Sequence, residues 1–311
     1  MKLSVIVCTQ NRAHAIIGCL ESIAQAMSVA SPLDAEIVVV DNASEDDTST
    51  VVKRWGDSCA FPVRLLFEPK KGLAVARNCG IDGAQGDLLV FTDDDCRLSP
   101  EYVIDLLRHD AMDRGLVLRG GRVELGEATD LPLTIKTSRD LTRWHRSTNA
   151  ARHENLGNCI VGCNMAMRRA VVERIGPFDG HFSGTHIRAG EDVDYVLRAY
   201  LANITIEYVP DMMVFHYHGR KLPADGKKLL RNYAIGTGAL YAKFFFKDPN
   251  LCRQFFWDIK TSIKEIISGK SNSFPEVNFA RHTWLAYCVL GTIWYIFVVV
   301  TSPFQTRRDG R

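Results

Sequence analysis

The sequence predicts an α/β protein with a doubly wound, mostly parallel sheet that has helices on both faces, followed by a C-terminal helical membrane-associated region. Two observations predict it. Short β-branched runs alternate with amphipathic stretches over about the first 115 residues, which is the rhythm of βαβ units. The last third of the chain then becomes basic and finally apolar. The 311 residues can hold one large domain or two smaller ones.

Four apolar runs are predicted as parallel strands: Ser4–Cys8, Glu36–Val40, Val63–Phe67 and Leu88–Phe91. Further strands are predicted around Leu116–Val123 and Asn164–Met167, and a helix near Glu191. The polar stretch Thr137–Asn158 fits either a loop over an active site or a surface helix. Four βα units fit in the first 115 residues, and the section that follows is expected to be less regular.

Composition excludes several classes of protein. The formal charge is +2 and no long basic stripe crosses the first two hundred residues, so we expect no nucleic acid partner. The nine cysteines show no paired C-x-x-C spacing, which argues against zinc and favours reduced thiols. Neither a P-loop nor a G-x-G-x-x-G motif follows the first strand, which disfavours nucleotide hydrolases and nicotinamide enzymes.

Polar residues follow three of the predicted strands. Thr9 and Arg12 come after the first strand, Asp41 after the second, and Asp93–Asp95 after the fourth. Ligands of doubly wound sheets bind beyond the carboxyl ends of the strands, where the strand order reverses. We therefore expect these three clusters to converge on one edge of the sheet.

The acidic triplet Asp93, Asp94 and Asp95 indicates a metal site. Adjacent carboxylates raise one another's pKa unless a cation compensates their charge. Oxygen ligands favour Mg²⁺ or Mn²⁺, which share their remaining coordination positions with waters and a substrate diphosphate. The alternative is a solvated turn that caps a helix.

A second acidic cluster, Glu191, Asp192 and Asp194, is predicted in the first turn of a helix. Its charges could simply complement the helix dipole. Together with the triplet, however, they match the needs of sugar transfer from a diphosphate donor. A sugar hydroxyl needs a carboxylate to take its proton, and the departing diphosphate needs positive charge. Glu191 or Asp192 would be the base.

Two histidines, His216 and His218, are spaced by two residues and are predicted on one face of a strand. Either could complete the metal shell or touch the diphosphate, and either could be an ordinary core or surface residue. We favour His218 as the metal ligand, because the adjacent Gly219 permits close approach.

Arg77 lies near the middle of a predicted helix that begins at Gly72. It either pairs with phosphate or is a plain surface residue.

Taken together, six motifs resemble those of the family 2 glycosyltransferases, whose catalytic domain has the GT-A fold. They occur in family order between Leu3 and about Arg220: SVIVCTQNR, EIVVVDNASEDDT, KKGLAVARNCGI, FTDDDCRLSP, VGCNMAMRR and GEDVDY. The resemblance implies an enzyme that inverts the anomeric configuration by a single displacement, using Mn²⁺ or Mg²⁺.

The resemblance also implies roles for individual residues. Contacts to the nucleotide sugar, with a UDP-sugar favoured, fall to Thr9, Arg12, Asp41, Arg77, Asp93, Asp94 and Asn164. Asp95 is implied as the metal ligand and Asp93 as its partner in the D-x-D motif. Asp192 is implied as the catalytic base, with Glu191 as the close contender.

The end of the chain predicts attachment to a membrane. From Gly219 to Arg281 there are twelve lysines and arginines against five acidic residues, and Trp284–Val300 is uncharged over seventeen residues. We expect contact with anionic lipid at the cytoplasmic face of the cell membrane. We predict a catalytic domain at 1–220 and a basic amphipathic helical region at the membrane surface at 221–282. A membrane-inserted helix is predicted at 283–303 and a basic tail at 304–311. The alternative is a core helix that closes the domain.

The leading hypothesis is an inverting, metal-dependent transferase that moves a sugar from a nucleotide-diphosphate sugar to a polysaccharide or lipid-linked acceptor. A sugar-nucleotide pyrophosphorylase is the alternative enzyme, but it should have a glycine-rich basic loop after the first strand, and TQNRAHAI has no glycine. A catalytically inactive, membrane-tethered sugar-binding protein is the non-enzymatic alternative. It is disfavoured because every expected carboxylate is present.

Overall fold

The computed structural model divides the chain into two compact units. The first consists of Met1–Phe178 and Asp192–Arg220, and the second of Asp179–Glu191 and Lys221–Arg311. The structure describes residues 2–149, 156–247, 249–269 and 274–301. The predicted basic tail at 304–311 lies outside the described residues.

The first unit is built on one nine-stranded sheet with the order β3-β2-β1-β4-β8-β6-β9-β5, and β7 pairs with β9. Its strands are β1 (Leu3–Thr9), β2 (Ala35–Asp41), β3 (Val63–Phe67), β4 (Leu88–Asp93), β5 (Cys96–Leu98), β6 (Val117–Leu125), β7 (Thr142–Trp144), β8 (Asn164–Arg168) and β9 (Thr205–His216). Strands β3, β2, β1 and β4 are parallel, while β8 runs antiparallel between β4 and β6. The predicted mostly parallel α/β sheet is confirmed.

The helices of the first unit cover both faces of the parallel strands. They are α1 (Ile16–Val29), α2 (Thr48–Gly56), α3 (Leu73–Gly83), α4 (Tyr102–Ala111), α5 (Arg146–Asn149), α6 (Arg169–Ile175) and α7 (Glu191–Leu201), the first residue of α7 grouping with the second unit. Val5 and Val7 share a core cluster with residues of α1 and α4. Ile6, on the other face of β1, packs against Gly80 of α3, where an added Cβ would lie 2.5 Å from Ile6.

The middle of the first unit is less regular, as the sequence indicates. The predicted strands around Leu116–Val123 and Asn164–Met167 correspond to β6 and β8, and α7 begins at Glu191. The uncertain stretch Thr137–Asn158 contains the short strand β7 and the single turn α5, and residues 150–155 lie outside the described part. It is therefore neither a plain loop nor one surface helix.

The described part of the second unit is helical, with α8 (Pro223–Phe244), α9 (Pro249–Ser268) and α10 (Arg281–Thr301). Helices α8 and α10 approach closely through two glycines. A Cβ at Gly238 would lie 1.8 Å from the Cys288 carbonyl oxygen, and one at Gly291 would lie 1.9 Å from that of Ile235. Any side chain at either glycine would therefore push the two helices apart.

Helix α10 is long and apolar enough to cross a membrane, with a mean hydropathy of 1.9 over a window that is 17% buried. One face is a continuous stripe of exposed apolar side chains: Val289, Ile293, Ile296, Phe297 and Val300. A core helix of a soluble protein can be equally long and apolar. This helix is nevertheless mostly exposed, which disfavours the core-helix alternative.

A buried ion pair joins β6 to β9 in the first unit. Glu207 is fully buried and pairs with Arg119 and Arg143, while Arg119 also donates to Asp113 at 2.7 Å. Burial by itself would raise the pKa of Glu207, but the positive charge and hydrogen bonds of the two arginines outweigh burial and hold that pKa below its ordinary value. The pair therefore stabilises the fold only while Glu207 is ionised.

We predict that Glu207→Gln lowers the free energy of unfolding by about 3 kcal/mol at neutral pH, because it leaves buried arginine charge uncompensated. Because the folded-state pKa of Glu207 is depressed, the wild-type advantage is complete above the unfolded-state pKa and is lost as the pH falls through the folded-state pKa. Urea denaturation as a function of pH measures both effects.

The control for this prediction is Glu124→Gln on β6, the strand that pairs with the β9 strand of Glu207. Glu124 is 33% exposed and lies 3.6 Å from Arg122, so its loss should cost under about 1 kcal/mol. Equal losses in the two variants would show that the buried pair contributes no more than a surface pair.

Candidate active site

The carboxyl ends of three parallel strands meet at one edge of the sheet. Thr9 ends β1, Asp41 ends β2 and Asp93 ends β4. The register pairs Thr9 with Asp41 and Cys8 with Asp93, so the last residues of these strands lie side by side. The strand-end clusters that the sequence singles out are thus brought together by the register of the sheet.

Asp94, in the middle of the acidic triplet, is bonded to the first strand. The Thr9 hydroxyl donates to Asp94 Oδ2 at 2.7 Å, and Arg12 Nε lies 3.4 Å from Asp94 Oδ1. Arg12 also reaches Asp95, with Nη2 3.4 Å from Oδ2. Asp94 therefore links the triplet to β1, which leaves its two neighbours for other partners.

Asp93 and Asp95 converge with His216. One ligand atom from each of the three residues lies within 4.8 Å of the others, and His216 Nε2 is 3.2 Å from Asp95 Oδ1. Strand pairing places the histidine there, because β5 follows the triplet and pairs antiparallel with β9, with Cys96 opposite His216. The geometry offers two carboxylates and one imidazole to a cation.

The structure corrects the choice between the two histidines, since His216 and not His218 lies beside the triplet. Strand β9 ends at His216, so the alternation of side chains does not continue to His218. Instead, His218 Nε2 lies 3.1 Å from the Leu131 carbonyl oxygen and its Nδ1 lies 3.5 Å from Asp130 Oδ2. His218 is buried among protein groups and is not placed to bind the metal.

The crowded carboxylates differ in their pKa values. Burial raises the pKa of Asp93 despite the nearby Arg77, and burial raises that of Asp94 to about 6. Burial would also raise the pKa of Asp95, but the hydrogen bond and charge of His216, with the charge of Arg12, hold it below its ordinary value. The three adjacent carboxylates therefore differ in how readily each loses its proton.

His216 carries the compensating proton. Burial would lower its pKa, but the hydrogen bond to Asp95 outweighs burial and raises the pKa to about 9. A metal ion needs the neutral imidazole, so a bound cation would replace this proton and supply the charge that the proton now supplies. The donor set fits Mn²⁺, which accepts carboxylate oxygen together with imidazole nitrogen, better than it fits Mg²⁺.

Arg77 connects the triplet to the predicted base. Its side chain is buried, and Nη2 lies 3.5 Å from Asp93 Oδ1 and 3.2 Å from the Gly162 carbonyl oxygen. The Gly162 backbone N–H donates to Asp192 Oδ2 at 3.0 Å. A Cβ at position 162 would lie 2.8 Å from Asp192 Oδ2 and 3.0 Å from Arg77 Nη2, so a side chain there would displace these two charged groups. Sequence reasoning missed the role of Gly162, although VGCNMAMRR contains it.

The two acidic residues at the start of α7 differ in exposure. Glu191 is 6% exposed, whereas Asp192 is half-buried and bonded to Gly162. A general base must reach the acceptor hydroxyl, so accessibility favours Asp192. This distinction could not be made from the sequence, where the two residues are adjacent.

Two predicted nucleotide-sugar contacts are already bonded within the protein. Asp41 is buried, and its carboxylate accepts from the Ser44 N–H at 2.9 Å and from the Ser49 hydroxyl. Asn164 is fully buried and accepts from the Tyr102 hydroxyl at 2.8 Å. Its amide nitrogen donates to the carbonyl oxygens of Arg122 and Met212. The structure therefore corrects the expectation for Asn164, whose side chain holds β8 in the core instead of facing a sugar.

Solved structures share this architecture. The chain aligns with a mannosyltransferase of Pyrobaculum calidifontis solved with GDP-Man and Mn²⁺, with a TM-score of 0.60, 18% identity and coverage of 95% of this chain and 87% of that one. It also aligns with residues 1–349 of Staphylococcus aureus TarS bound to UDP-GlcNAc, with a TM-score of 0.55, 19% identity and coverage of 95% and 89%. The first unit thus has a GT-A-like fold, with the acidic triplet at the end of one of its strands.

The sequence comparison gives the family. Residues 4–176 match Glycosyl transferase family 2, and the chain belongs to this family. It is 27% identical over 247 residues to the glycosyltransferase AglE of Haloferax volcanii, which covers 76% of this chain and 73% of that protein. It is also 27% identical over 221 residues to the succinoglycan biosynthesis protein ExoM of Rhizobium meliloti, covering 69% and 66%. The chain is a family 2 glycosyltransferase.

We predict that His216→Ala weakens Mn²⁺ binding by at least about tenfold, because it removes the only imidazole that meets Asp93 and Asp95 among the described residues. His218→Ala is the matched control, since it removes an imidazole two residues away that contacts Asp130 instead. Calorimetric titration with Mn²⁺ in the presence of UDP measures both. A larger loss in the His218 variant would contradict the assignment.

Proposed function

We propose that this enzyme transfers a sugar, with inversion, from a nucleotide-diphosphate sugar to a hydroxyl of a polysaccharide or lipid-linked acceptor at the cytoplasmic face of the cell membrane. The observation that carries the proposal is the convergence of Asp93, Asp95 and His216 at a sheet edge that Arg77 and Gly162 connect to Asp192. The two tasks of the reaction, activating the acceptor and stabilising the leaving group, thus fall to neighbouring groups.

The leaving group is a nucleotide diphosphate, which gains negative charge as its bond to the sugar breaks. Asp93, Asp95 and His216 would hold Mn²⁺ or Mg²⁺ at this position. A divalent ion there supplies Lewis acidity that offsets the developing charge. Arg12, which is partly exposed and lies 3.4 Å from Asp95, would add a fixed positive charge beside the phosphates.

The attacking group is an acceptor hydroxyl, which becomes a good nucleophile only as it loses its proton. We assign Asp192 as the carboxylate that takes this proton and Glu191 as its buried neighbour. The Gly162 N–H donates to Asp192 Oδ2 at 3.0 Å and the Val193 N–H donates to Asp192 Oδ1 at 2.8 Å, so two backbone groups orient the carboxylate. Each carboxylate oxygen can accept more than one hydrogen bond, so the acceptor hydroxyl can still donate to this group. The acceptor oxygen would attack the anomeric carbon from the face opposite the diphosphate, the hydroxyl proton would pass to Asp192, and the bond between the sugar and the diphosphate would break. A single displacement of this kind inverts the anomeric carbon.

The relatives support the proposed donor and acceptor classes. One solved structure of similar fold was determined with UDP-GlcNAc and another with GDP-Man and Mn²⁺, which suits a nucleotide-diphosphate donor and a manganese ion. We favour a UDP-sugar. The relative ExoM is named for succinoglycan biosynthesis, which favours a polysaccharide or glycolipid product. Membership of the transferase family removes the reason to consider a pyrophosphorylase.

Membrane attachment through the second unit is part of the proposal. The apolar stripe of α10 leaves Ile293 57% and Phe297 51% exposed, and α9 leaves Trp257 50% exposed. Such surfaces lie favourably in the interface or the hydrocarbon of a bilayer, where aromatic residues mark the boundary. Attachment at the cytoplasmic face would bring the enzyme to a lipid-linked or growing acceptor.

We predict Mn²⁺-dependent release of nucleotide when the full-length enzyme is incubated with a panel of UDP- and GDP-sugars and candidate acceptors, and loss of this release with a chelator. Asp95→Ala and Asp192→Asn should each lower turnover by roughly 10²-fold or more, because each removes one of the two catalytic tasks. Only Asp95→Ala should also lose metal-dependent donor binding.

Glu21→Gln, at an exposed position of α1, is the control and should keep full turnover. Absence of metal-dependent turnover with every donor would refute the proposed function and favour an inactive sugar-binding protein. Full activity in Asp192→Asn would mean that another group, such as Glu191, is the base.

We predict that Ile293→Asp with Phe297→Asp moves the enzyme from the membrane to the soluble fraction after detergent-free lysis. A charge on the stripe costs about 2.5–3.5 kcal/mol in the bilayer centre. Phe67→Asp with Ile104→Asp places the same two charges on exposed apolar positions of the first unit and should leave the protein with the membrane. A wild-type enzyme that is already soluble would contradict membrane attachment.

A further inference from the structure

The second unit contains a cleft of about 450 Å³ whose lining includes none of the predicted catalytic residues. Helix α8 and the start of α10 form its walls, and its lining residues are Lys227, Lys228, Arg231, Asn278, Phe279, Ala280, Thr283 and Tyr287. The volume is in the range of small-ligand sites. Nothing in the transfer reaction uses these residues.

The cleft is strongly cationic. Lys227, Lys228 and Arg231 lie within two turns of α8, and all three are exposed. Cations four residues apart on one helix repel each other, as Lys227 and Arg231 do. Within the described residues none of the three forms an ion pair, and Arg231 instead lies over the ring of Tyr287, with 5.2 Å to its centroid. No carboxylate lines the cleft among those residues, so an anion would relieve the repulsion.

The opposite wall provides hydrogen-bonding groups for such an anion. Asn278 offers an amide and Thr283 a hydroxyl, and Ala280 directly precedes the first residue of α10. The first N–H of α10, that of Arg281, donates to Glu265 Oε2 at 2.7 Å, so the groups that this wall offers to an anion are the side chains of Asn278 and Thr283. Three cations with two neutral polar groups match a phosphomonoester or diphosphate, which carries about two negative charges at neutral pH.

The surroundings of the cleft favour a lipid as the carrier of that phosphate. Phe279 and Tyr287 add aromatic surface to the lining, and beyond Tyr287 the same helix exposes the apolar stripe that begins at Val289. An amphiphile could therefore seat its charged head in the cleft and lay its chain along α10. A free, water-soluble phosphate would leave the stripe without a partner.

We propose that this cleft binds the phosphate group of an anionic membrane lipid. The proposal rests on the proposed membrane attachment and deepens it, because it assigns lipid recognition to three named cations. The apolar stripe would bind any bilayer, whereas the cleft would add a preference for membranes that display phosphomonoesters or diphosphates.

The test is sedimentation of the full-length enzyme with phosphatidylcholine vesicles that either contain or lack phosphatidic acid. We expect phosphatidic acid to strengthen binding. In the variant K227Q/K228Q/R231Q the increase in binding caused by phosphatidic acid should be at least about tenfold smaller, because each basic residue near an anionic surface adds to the binding free energy. Its binding to pure phosphatidylcholine should not change, since the stripe is intact.

The control variant is R253Q/K260Q/K264Q, which removes the same number of positive charges from α9. It should keep most of the gain from phosphatidic acid. Equal losses in the two triple variants would show that the attraction is diffuse surface electrostatics, and the proposal would be wrong. A cleft variant that keeps the full gain would overturn it as well.

Two further arms distinguish a lipid ligand from a soluble one and lipid binding from catalysis. Inorganic pyrophosphate, added alone to the enzyme and vesicles, should compete with the vesicles for the cleft. Tight binding of pyrophosphate without any increase in vesicle binding from phosphatidic acid would mean that the ligand is soluble, and this would contradict the proposal. Asp95→Ala should bind both kinds of vesicle as the wild type does. The result of the vesicle assay is therefore independent of the result of the donor-turnover assay.

Discussion

The constraint on which the site depends is the crowding of three carboxylates at the end of one buried strand. Their mutual repulsion must be offset, and the fold does so from three directions, with Arg12 from the loop after β1, Arg77 from α3 and the His216 proton from β9. Strand pairing places His216 beside the triplet, whereas Arg12 and Arg77 reach it from a loop and a helix. A metal ion at Asp95 would continue the same compensation, and this links the stability of the strand end to donor binding.

The same constraint connects leaving-group stabilisation to acceptor activation. Arg77 contacts both Asp93 and the Gly162 carbonyl oxygen, and the N–H of that same glycine holds Asp192. The peptide segment at Gly162 thus lies between the two charged centres, and a side chain at position 162 would displace Asp192 or Arg77 from its present place. The second unit shows the same reliance on glycine, where Gly238 and Gly291 set the approach of α8 to α10 and so shape the cationic cleft.

How much the sequence could predict follows from the range of the interactions. The parallel strands were predictable because their apolar runs are local and continuous, and the strand ends showed where polar residues would meet. The position of His216 beside the triplet was not predictable, because it depends on the pairing of β5 with β9, which lie more than a hundred residues apart in the sequence. Asn164 was assigned to a sugar for a similar reason, since its buried bonds to Tyr102 and Met212 are tertiary. The family resemblance gave order and chemistry, but not these contacts.

The most direct test of the central claim is pulsed electron paramagnetic resonance of Mn²⁺ bound to the full-length enzyme with UDP. Coordination by His216 at the Asp93–Asp95 pair predicts a ¹⁴N coupling from imidazole nitrogen that disappears in His216→Ala and persists in His218→Ala. A Mn²⁺ spectrum without nitrogen coupling, or one whose coupling survives in His216→Ala, would contradict the proposed metal centre.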